Sequence, residues 1–150
     1  MKKIITCLLA TFGLATGCCQ QNFKNTDPEG FAELTAKPGV VLLDVRTAAE
    51  FKEGHIENAV NIDVKQDDFM DKAKALPKDK TIAVYCRSGR RSATAAGLMA
   101  SEGYKVVNLV GGITAWKDGG RPVTTATRGA DAPQTGSGRA MKSGADTTNE

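Results

Sequence analysis

The stretch "TIAVYCRSGRRSATAAGLMASEG" (residues 81–103) combines a strand, a tight loop and a helix. Its first five residues are an apolar run, which is typical of a strand covered on both faces. Residues 91–103 have the pattern of a helix that ends at Gly103. A strand that runs through a short loop into a helix indicates an α/β fold, and here it places Cys86 at the carboxyl end of the strand.

Strands and helices alternate along the rest of the chain as well. Apolar runs predict further strands at residues 40–45, 59–62 and 105–109. Helices are predicted within residues 26–37, 47–54, 66–76 and 111–120. Thr26 or Asp27 is expected to cap the first of these helices, and Thr47 the second. This alternation predicts a parallel sheet with helices on both faces, and ligands of such sheets bind at the carboxyl ends of the strands.

The composition is that of one globular domain: 150 residues, 41% hydrophobic and 25% charged. A net charge of +3 and 5% aromatic residues do not indicate nucleic-acid binding. The cysteines at positions 7, 18, 19 and 86 match no zinc spacing, and His55 is the only histidine. We therefore expect a monomer with no metal, no cofactor and no nucleic-acid partner.

The N-terminus has the features of an export signal. A basic start is followed by apolar residues 4–15, which are too few to span a bilayer as a helix. Three small residues precede Cys18 as in a bacterial lipobox, although Ala15 stands where leucine is usual. We predict that residues 1–18 are a leader cleaved before Cys18, and that lipid on Cys18 anchors an exported, periplasmic protein to a membrane. Ordinary cleavage that yields a soluble exported protein, or an uncleaved helix, are the alternatives.

Cys86 is the one cysteine within residues 21–122, which we take as the folded domain. Export implies an oxidising compartment, and a thiol with no disulfide partner in its own domain favours a chemical role over inert packing. Residues 123–150 are rich in Gly, Ala, Ser and Thr and show no apolar period. They are predicted to be a disordered tail.

The loop after Cys86 is suited to stabilising a thiolate. Backbone N–H groups at the start of a helix have no partner within the helix, and together with the helix dipole they form an anion cradle. Arg87, Arg90 and Arg91 add positive charge, so the thiol pKa is expected to fall below its ordinary value of about 8.5. His55 could act as the base of a Cys–His dyad, but its place in a connecting turn favours a structural role.

The size of the loop separates two chemistries. Cysteine phosphatases place an arginine six residues after the cysteine, where it clamps a phosphate. Here Ser92 occupies that position and Arg91 comes one residue too early. The loop is therefore better suited to one bound sulfur atom than to a tetrahedral oxyanion. The alternative is that the arginines are a solvated helix face and the cysteine is simply packed.

Three segments, "LLDVRTAAEFKEGHIENAVNI" (residues 42–62), "VYCRSGRRS" (residues 84–92) and "LVGGITAWKDGGRPV" (residues 109–123), resemble the motifs of single-domain rhodaneses in order and spacing. The resemblance covers nearly all of residues 26–122. It implies a rhodanese-like α/β fold with a five-stranded, mostly parallel sheet and helices on both faces. It also implies sulfur transfer, in which an anionic donor such as thiosulfate gives a sulfane sulfur to Cys86. A thiol or cyanide then takes the sulfur from the resulting persulfide.

The resemblance also implies roles for individual residues. Cys86 is the nucleophile, and the backbone of Arg87, Ser88, Gly89, Arg90 and Arg91 holds the persulfide. Gly89 is expected to permit the tight curl of the loop.

Two supporting residues are carried over from the same resemblance. Asp44 is expected near the loop, where it can orient it through hydrogen bonds, and Arg46 is expected to pair with Glu50. His55 and Trp116 are expected to be structural. Asn58 stands where the family often has glycine, and asparagine tolerates the positive φ of such a turn.

Two other functions remain open on the sequence. A phosphatase or arsenate reductase of related fold would need a loop one residue longer. A sulfur-carrier or docking module for a partner protein would use the same cysteine.

Overall fold

Five strands form one sheet in the computed structural model, which describes residues 22–126 of the chain. The strands are β1 (Lys24–Thr26), β2 (Val40–Asp44), β3 (Val60–Asn61), β4 (Thr81–Tyr85) and β5 (Lys105–Leu109). The helices are α1 (Pro28–Thr35), α2 (Ala48–Lys52), α3 (Phe69–Ala73), α4 (Arg90–Ser101) and α5 (Gly112–Asp118).

The sheet has the order β1-β5-β4-β2-β3, and all its strand pairs are parallel. The predicted five-stranded parallel architecture is therefore confirmed. β4 lies at the centre, between β2 and β5, so Cys86 emerges from the middle of the carboxyl edge of the sheet.

Two apolar clusters cover the two faces of the sheet. Ile82 and Val84 pack on one side with α3 and α4. Ala83 and Tyr85 pack on the other side with α1 and α5. Alternate residues of β4 thus face opposite clusters, which explains why the whole run is apolar. The helices on both faces are those that the alternating pattern predicted.

The helix caps follow the sequence closely. Asp27 caps α1 by accepting a 2.8 Å hydrogen bond from the N–H of Gly30. Thr47 caps α2 and forms a reciprocal capping box with Glu50. Asn58 has a φ of 67°, as expected for a residue in place of glycine.

Two elements differ from the expectations. The edge strand β1 was not predicted from its residues, because its three polar or exposed side chains carry no apolar signal. Its place comes from pairing with β5, where Asn108 donates a 2.9 Å side-chain hydrogen bond to Asn25. The helix predicted within residues 66–76 is reduced to α3, because Asp68 provides no side-chain cap and turns replace helix at both ends.

Thr124, which falls within the predicted tail, bonds to the folded domain. Thr124 exchanges two main-chain hydrogen bonds of 2.9 and 2.8 Å with His55. Backbone pairing of this kind leaves no trace in side-chain periodicity and cannot be predicted from it. The leader, Cys18 and the rest of the predicted tail lie outside the described residues. Within residues 22–126, no helix is both long and apolar enough to cross a membrane.

Candidate active site

The Cys86 side chain lies at the end of β4, beneath the first turn of α4, and has 0% exposure. Its Sγ accepts a hydrogen bond from the N–H of Gly89 at 3.1 Å. The hydroxyl of Ser92 lies 3.4 Å from Sγ and 3.1 Å from the carbonyl oxygen of Gly89. Its single proton therefore serves either the sulfur or that carbonyl.

These contacts set the acidity of the thiol. Burial by itself raises the pKa of Cys86, because a thiolate loses its hydration. Hydrogen bonds from the Ser92 hydroxyl and from the N–H groups of Ser92, Ser88 and Gly89 outweigh burial, so the pKa is lowered below its ordinary value. The prediction of a lowered pKa is confirmed, and its main favourable cause is the cradle of donors.

Gly89 permits the curl that aims these donors at the sulfur. It caps α4 with a φ of 93°, a conformation that residues with a Cβ rarely adopt. A Cβ at this position would also lie 3.1 Å from the backbone nitrogen of Gly111 and 3.2 Å from the carbonyl oxygen of Leu109. The position thus requires glycine for both conformation and space, as the tight loop predicted.

The first turn of α5 donates hydrogen bonds to the backbone carbonyls of the loop. The N–H of Ile113 donates a 2.8 Å hydrogen bond to the carbonyl of Cys86, and the Thr114 hydroxyl donates at 2.9 Å to that of Arg87. A Cβ on Gly112 would lie 2.4 Å from the Cys86 carbonyl oxygen, so only glycine permits this approach. The Gly-Gly pair at the start of α5 therefore allows this helix to hold the backbone of the loop in place.

The three arginines of the loop have different surroundings. Arg87 and Arg90 are exposed, and the ion pairs formed among residues 22–126 do not include them. Arg91 instead donates two hydrogen bonds to the carboxylate of Glu50, at 2.8 and 2.7 Å. Two of the three arginines thus present their charge to solvent beside the buried cysteine.

Comparison with known proteins agrees with this arrangement. Residues 27–119 match the Rhodanese-like domain family. The chain belongs to this family. A protein of Allochromatium vinosum named sulfurtransferase is 39% identical over 85 residues, which cover 56% of this chain and 78% of that protein. The thiosulfate sulfurtransferase GlpE of Coxiella burnetii is 36% identical over 87 residues, which cover 57% of this chain and 78% of that protein.

The fold agrees as well. The solved structure of a rhodanese-related protein from Thermoplasma volcanium superposes with a TM-score of 0.64 and 32% identity. That match covers 69% of this chain and 100% of the other. The fold of this chain is therefore that of a rhodanese-like domain.

In this rhodanese-like domain, Asp44 and Arg46 pair with each other. Three donors of Arg46 (N, Nε and Nη2) reach the Asp44 carboxylate at 2.6–3.0 Å, and Nη2 also donates to the Gly54 carbonyl at 2.8 Å. The expected pairing of Arg46 with Glu50 is wrong, because Arg46 turns inward before α2 begins. The Asp44 carboxylate accepts hydrogen bonds from Arg46, and its direct role in orienting the loop stays a prediction.

His55 makes structural contacts. Its Nδ1 lies 2.9 Å from the Phe51 carbonyl oxygen, and its ring stacks on that of Phe51 with 3.7 Å between centroids. Its backbone pairs with Thr124, so the residue joins α2 to the C-terminal segment. Trp116 is buried in the core as expected. These contacts agree with the structural role that the connecting turn favoured over a Cys–His dyad.

Sequence reasoning missed Ser92 and Glu50 as residues of the site. In the sequence, Ser92 marks only the absence of a phosphatase arginine, whereas in the structure its hydroxyl lies 3.4 Å from Sγ of Cys86. The capping-box spacing of Thr47 and Glu50 was a readable signal for the start of α2. It could not show that the same carboxylate reaches Arg91, which lies 41 residues further along the chain.

Proposed function

We propose that this protein is a sulfurtransferase that carries a sulfane sulfur on Cys86. The observation that supports it most is the sulfur atom itself. Sγ of Cys86 is buried, has a lowered pKa, and faces the N–H of Gly89 and the hydroxyl of Ser92 in a loop with no clamping arginine. This surrounding favours a thiolate and, after transfer, the anionic outer sulfur of a persulfide.

The proposed donor is thiosulfate or another small anion with a sulfane sulfur. The Cys86 thiolate attacks that sulfur, the S–S bond of thiosulfate breaks, and sulfite leaves with the bonding electron pair. A thiol or cyanide then attacks the outer sulfur of the persulfide, and the Cys86 thiolate leaves. Arg87 and Arg90 supply the positive charge that attracts the donor, and the name of the Coxiella burnetii relative supports thiosulfate.

The test is sulfur loading of the full chain with thiosulfate, followed by transfer to cyanide. The peptide that contains Cys86 should gain the mass of one sulfur atom, and Cys86→Ser should abolish thiocyanate formation. Cys19→Ser is the matched control and should retain activity. Appreciable activity in Cys86→Ser would overturn the proposal. Turnover of an aryl phosphate or arsenate would point to the phosphatase or reductase alternative. Slow turnover of thiosulfate together with rapid sulfur loading from a persulfide donor would point to a protein-specific sulfur carrier.

We also propose that the protein is exported, acylated on Cys18 and held at a membrane as a periplasmic monomer. The apolar stretch at residues 4–15 and the small residues before Cys18 support this proposal. Intact mass spectrometry of the native protein should show cleavage before Cys18 and two or three acyl chains. A mature protein that starts elsewhere without lipid would refute the anchoring.

A further inference from the structure

Glu50 connects two elements of the domain through one carboxylate. It is the third residue of α2, where its Oε2 accepts hydrogen bonds from the N–H and hydroxyl of Thr47, both at 3.1 Å. The same carboxylate accepts both hydrogen bonds from the Arg91 guanidinium, at 2.8 and 2.7 Å. The side chains of Arg91 and Glu50 are only 24% and 26% exposed, so water does not fully screen the pair.

The partner of Glu50 is the last residue of the cysteine loop. Arg91 directly precedes Ser92, whose hydroxyl faces Sγ of Cys86. The pKa of Arg91 is raised chiefly by its hydrogen bonds to Glu50, and the charges of Glu50, Cys86 and Asp63 add to the effect. The Cys86 thiolate is thus among the charges that favour the Arg91 cation, and we expect the charge around Arg91 to influence Cys86 in turn.

Glu50 stays ionised throughout the pH range of thiol chemistry. Its hydrogen bonds with Arg91, and more weakly those with Thr47, outweigh burial and lower its pKa to about 2. The pair therefore has no net charge at any pH at which Cys86 ionises. A bidentate pair of this kind also fixes the guanidinium plane.

We propose that Glu50 is a positioning and specificity-determining residue of the sulfur site: it holds Arg91 against α2 and cancels its charge. An anionic donor is then recognised by Arg87 and Arg90 at the mouth of the site. This inference rests on the proposed function for its meaning in catalysis. An oxyanion that is to bind Arg91 must displace a carboxylate that makes two hydrogen bonds to the arginine and two to Thr47.

Charge cancellation also tunes the thiol. An unbalanced guanidinium on Arg91 would lower the thiol pKa further, and a thiolate of very low pKa is a weaker nucleophile. An unbalanced carboxylate would raise the pKa and deplete the thiolate at neutral pH. The neutral pair leaves the donor cradle of Ser92 and Gly89 in control of the pKa.

The experiment compares Glu50→Gln, Arg91→Met and the double variant in the full chain. Glutamine keeps one acceptor oxygen for the capping box with Thr47 and for Nη1 of Arg91, whereas its amide NH2 faces Nη2, so Glu50→Gln removes the charge and one hydrogen bond. Glu53→Gln, an exposed site at the end of the same helix, is the matched control. The readout is the rate of Cys86 alkylation by iodoacetamide as a function of pH, followed by peptide mass spectrometry.

We expect the apparent thiol pKa to fall by roughly half a pH unit in Glu50→Gln and to rise by a similar amount in Arg91→Met. The double variant should return close to the wild-type value, and Glu53→Gln should match it. Inorganic phosphate should slow the alkylation of Glu50→Gln at several-fold lower concentration than that of the wild type, because Arg91 is then available to an anion.

A purely structural pair would behave differently. If both single variants and the double variant shift the pKa in the same direction, or if Glu50→Gln matches Glu53→Gln and phosphate does not distinguish them, the inference is overturned. Alkylation requires no sulfur donor, so this result is independent of turnover. A wild-type protein that transfers no sulfur but shows the expected alkylation shifts would refute the proposed function and leave the charge cancellation standing.

Discussion

At the scale of single residues, the acidity of Cys86 reflects two opposing effects. Burial disfavours the thiolate, and the hydrogen bonds of Ser92, Ser88 and Gly89 favour it by more. Most of these donors are backbone groups, whose direction is fixed by the curl at Gly89. The hydroxyl of Ser92 is the one donor of the cradle that a substitution can remove without changing the backbone.

Ser92→Ala is expected to raise the apparent pKa of Cys86. The thiolate loses a donor, whereas the burial that disfavours it remains. Because the folded-state pKa moves upwards, the alkylation rate of Cys86 at pH 6–7 should fall several-fold, and it should recover as the pH rises above about 8.5. The pH profile of iodoacetamide alkylation measures this change.

Ser88→Ala is the matched control, because its N–H remains in the cradle and its side chain is exposed. It should keep the wild-type profile. An unchanged profile in Ser92→Ala would mean that the hydroxyl proton stays on the Gly89 carbonyl and does not serve the sulfur.

At the scale of secondary-structure elements, a buried ion pair fixes the path from β2 to α2. The Asp44 carboxylate is fully buried, and Arg46 is its ionic partner. Arg46 also holds the Gly54 carbonyl, while the Asn61 side chain donates to the carbonyls of Asp44 and Arg46 at 3.0 and 2.9 Å. The start of α2 is thereby set, and with it the place of Glu50.

Arg46→Met should destabilise the domain by about 3–5 kcal/mol, because it leaves the Asp44 carboxylate buried without its partner. Chemical denaturation measures this loss. Asp68→Asn is the control, since it breaks the exposed i,i+4 pair with Lys72 and should change stability by less than about 0.5 kcal/mol. Equal effects of the two substitutions would contradict the role assigned to the buried pair.

The pair of Glu50 and Arg91 should contribute to acid sensitivity. The folded-state pKa of Glu50, about 2, lies below its ordinary value of about 4.3. The contribution is therefore fully present above pH 4.3 and is lost as the pH falls towards 2. Acid titrations of wild type and Glu50→Gln should converge in stability across this window. Parallel curves would show that the carboxylate is not stabilised by the fold.

At the scale of the whole molecule, the last described segment closes the domain on itself. Thr124 pairs with the backbone of His55, and the indole Nε1 of Trp116 donates a 2.9 Å hydrogen bond to the carbonyl of Pro122. This segment joins α5 to the turn after α2. It lies just beyond the residues that match the family, which end at position 119.

Two truncations distinguish the contribution of residues 123–126 to stability from that of residues 127–150. Removal of residues 127–150 should leave the melting temperature unchanged, whereas removal of residues 123–150 should destabilise the domain by about 1–3 kcal/mol through loss of the His55 pairing. Thermal unfolding of the two truncated proteins and the full chain measures the difference. Equal stability of the two truncations would contradict a bracing role for residues 123–126.

The sequence by itself determined the local parts of this protein. Four of the strands, the caps at Asp27 and Thr47, the positive φ at Asn58 and the position of Cys86 each follow from a pattern within a few residues. The length of the cysteine loop is also local, and it favours a sulfur site over a phosphate clamp. These features are readable because periodicity, capping and turn chemistry depend on sequence neighbours.

The tertiary structure alone decided which distant residues meet. Strand β1 forms because β5 offers a free edge, and Thr124 is held because it pairs with the backbone of His55. Arg46 pairs with Asp44 and Glu50 pairs with Arg91, although Arg46 was expected to pair with Glu50. Charged side chains on neighbouring turns have several partners within reach, and burial and the approach of a second element select among them. CRSGRRS thus specifies the cradle, and α2 supplies the carboxylate that pairs with Arg91.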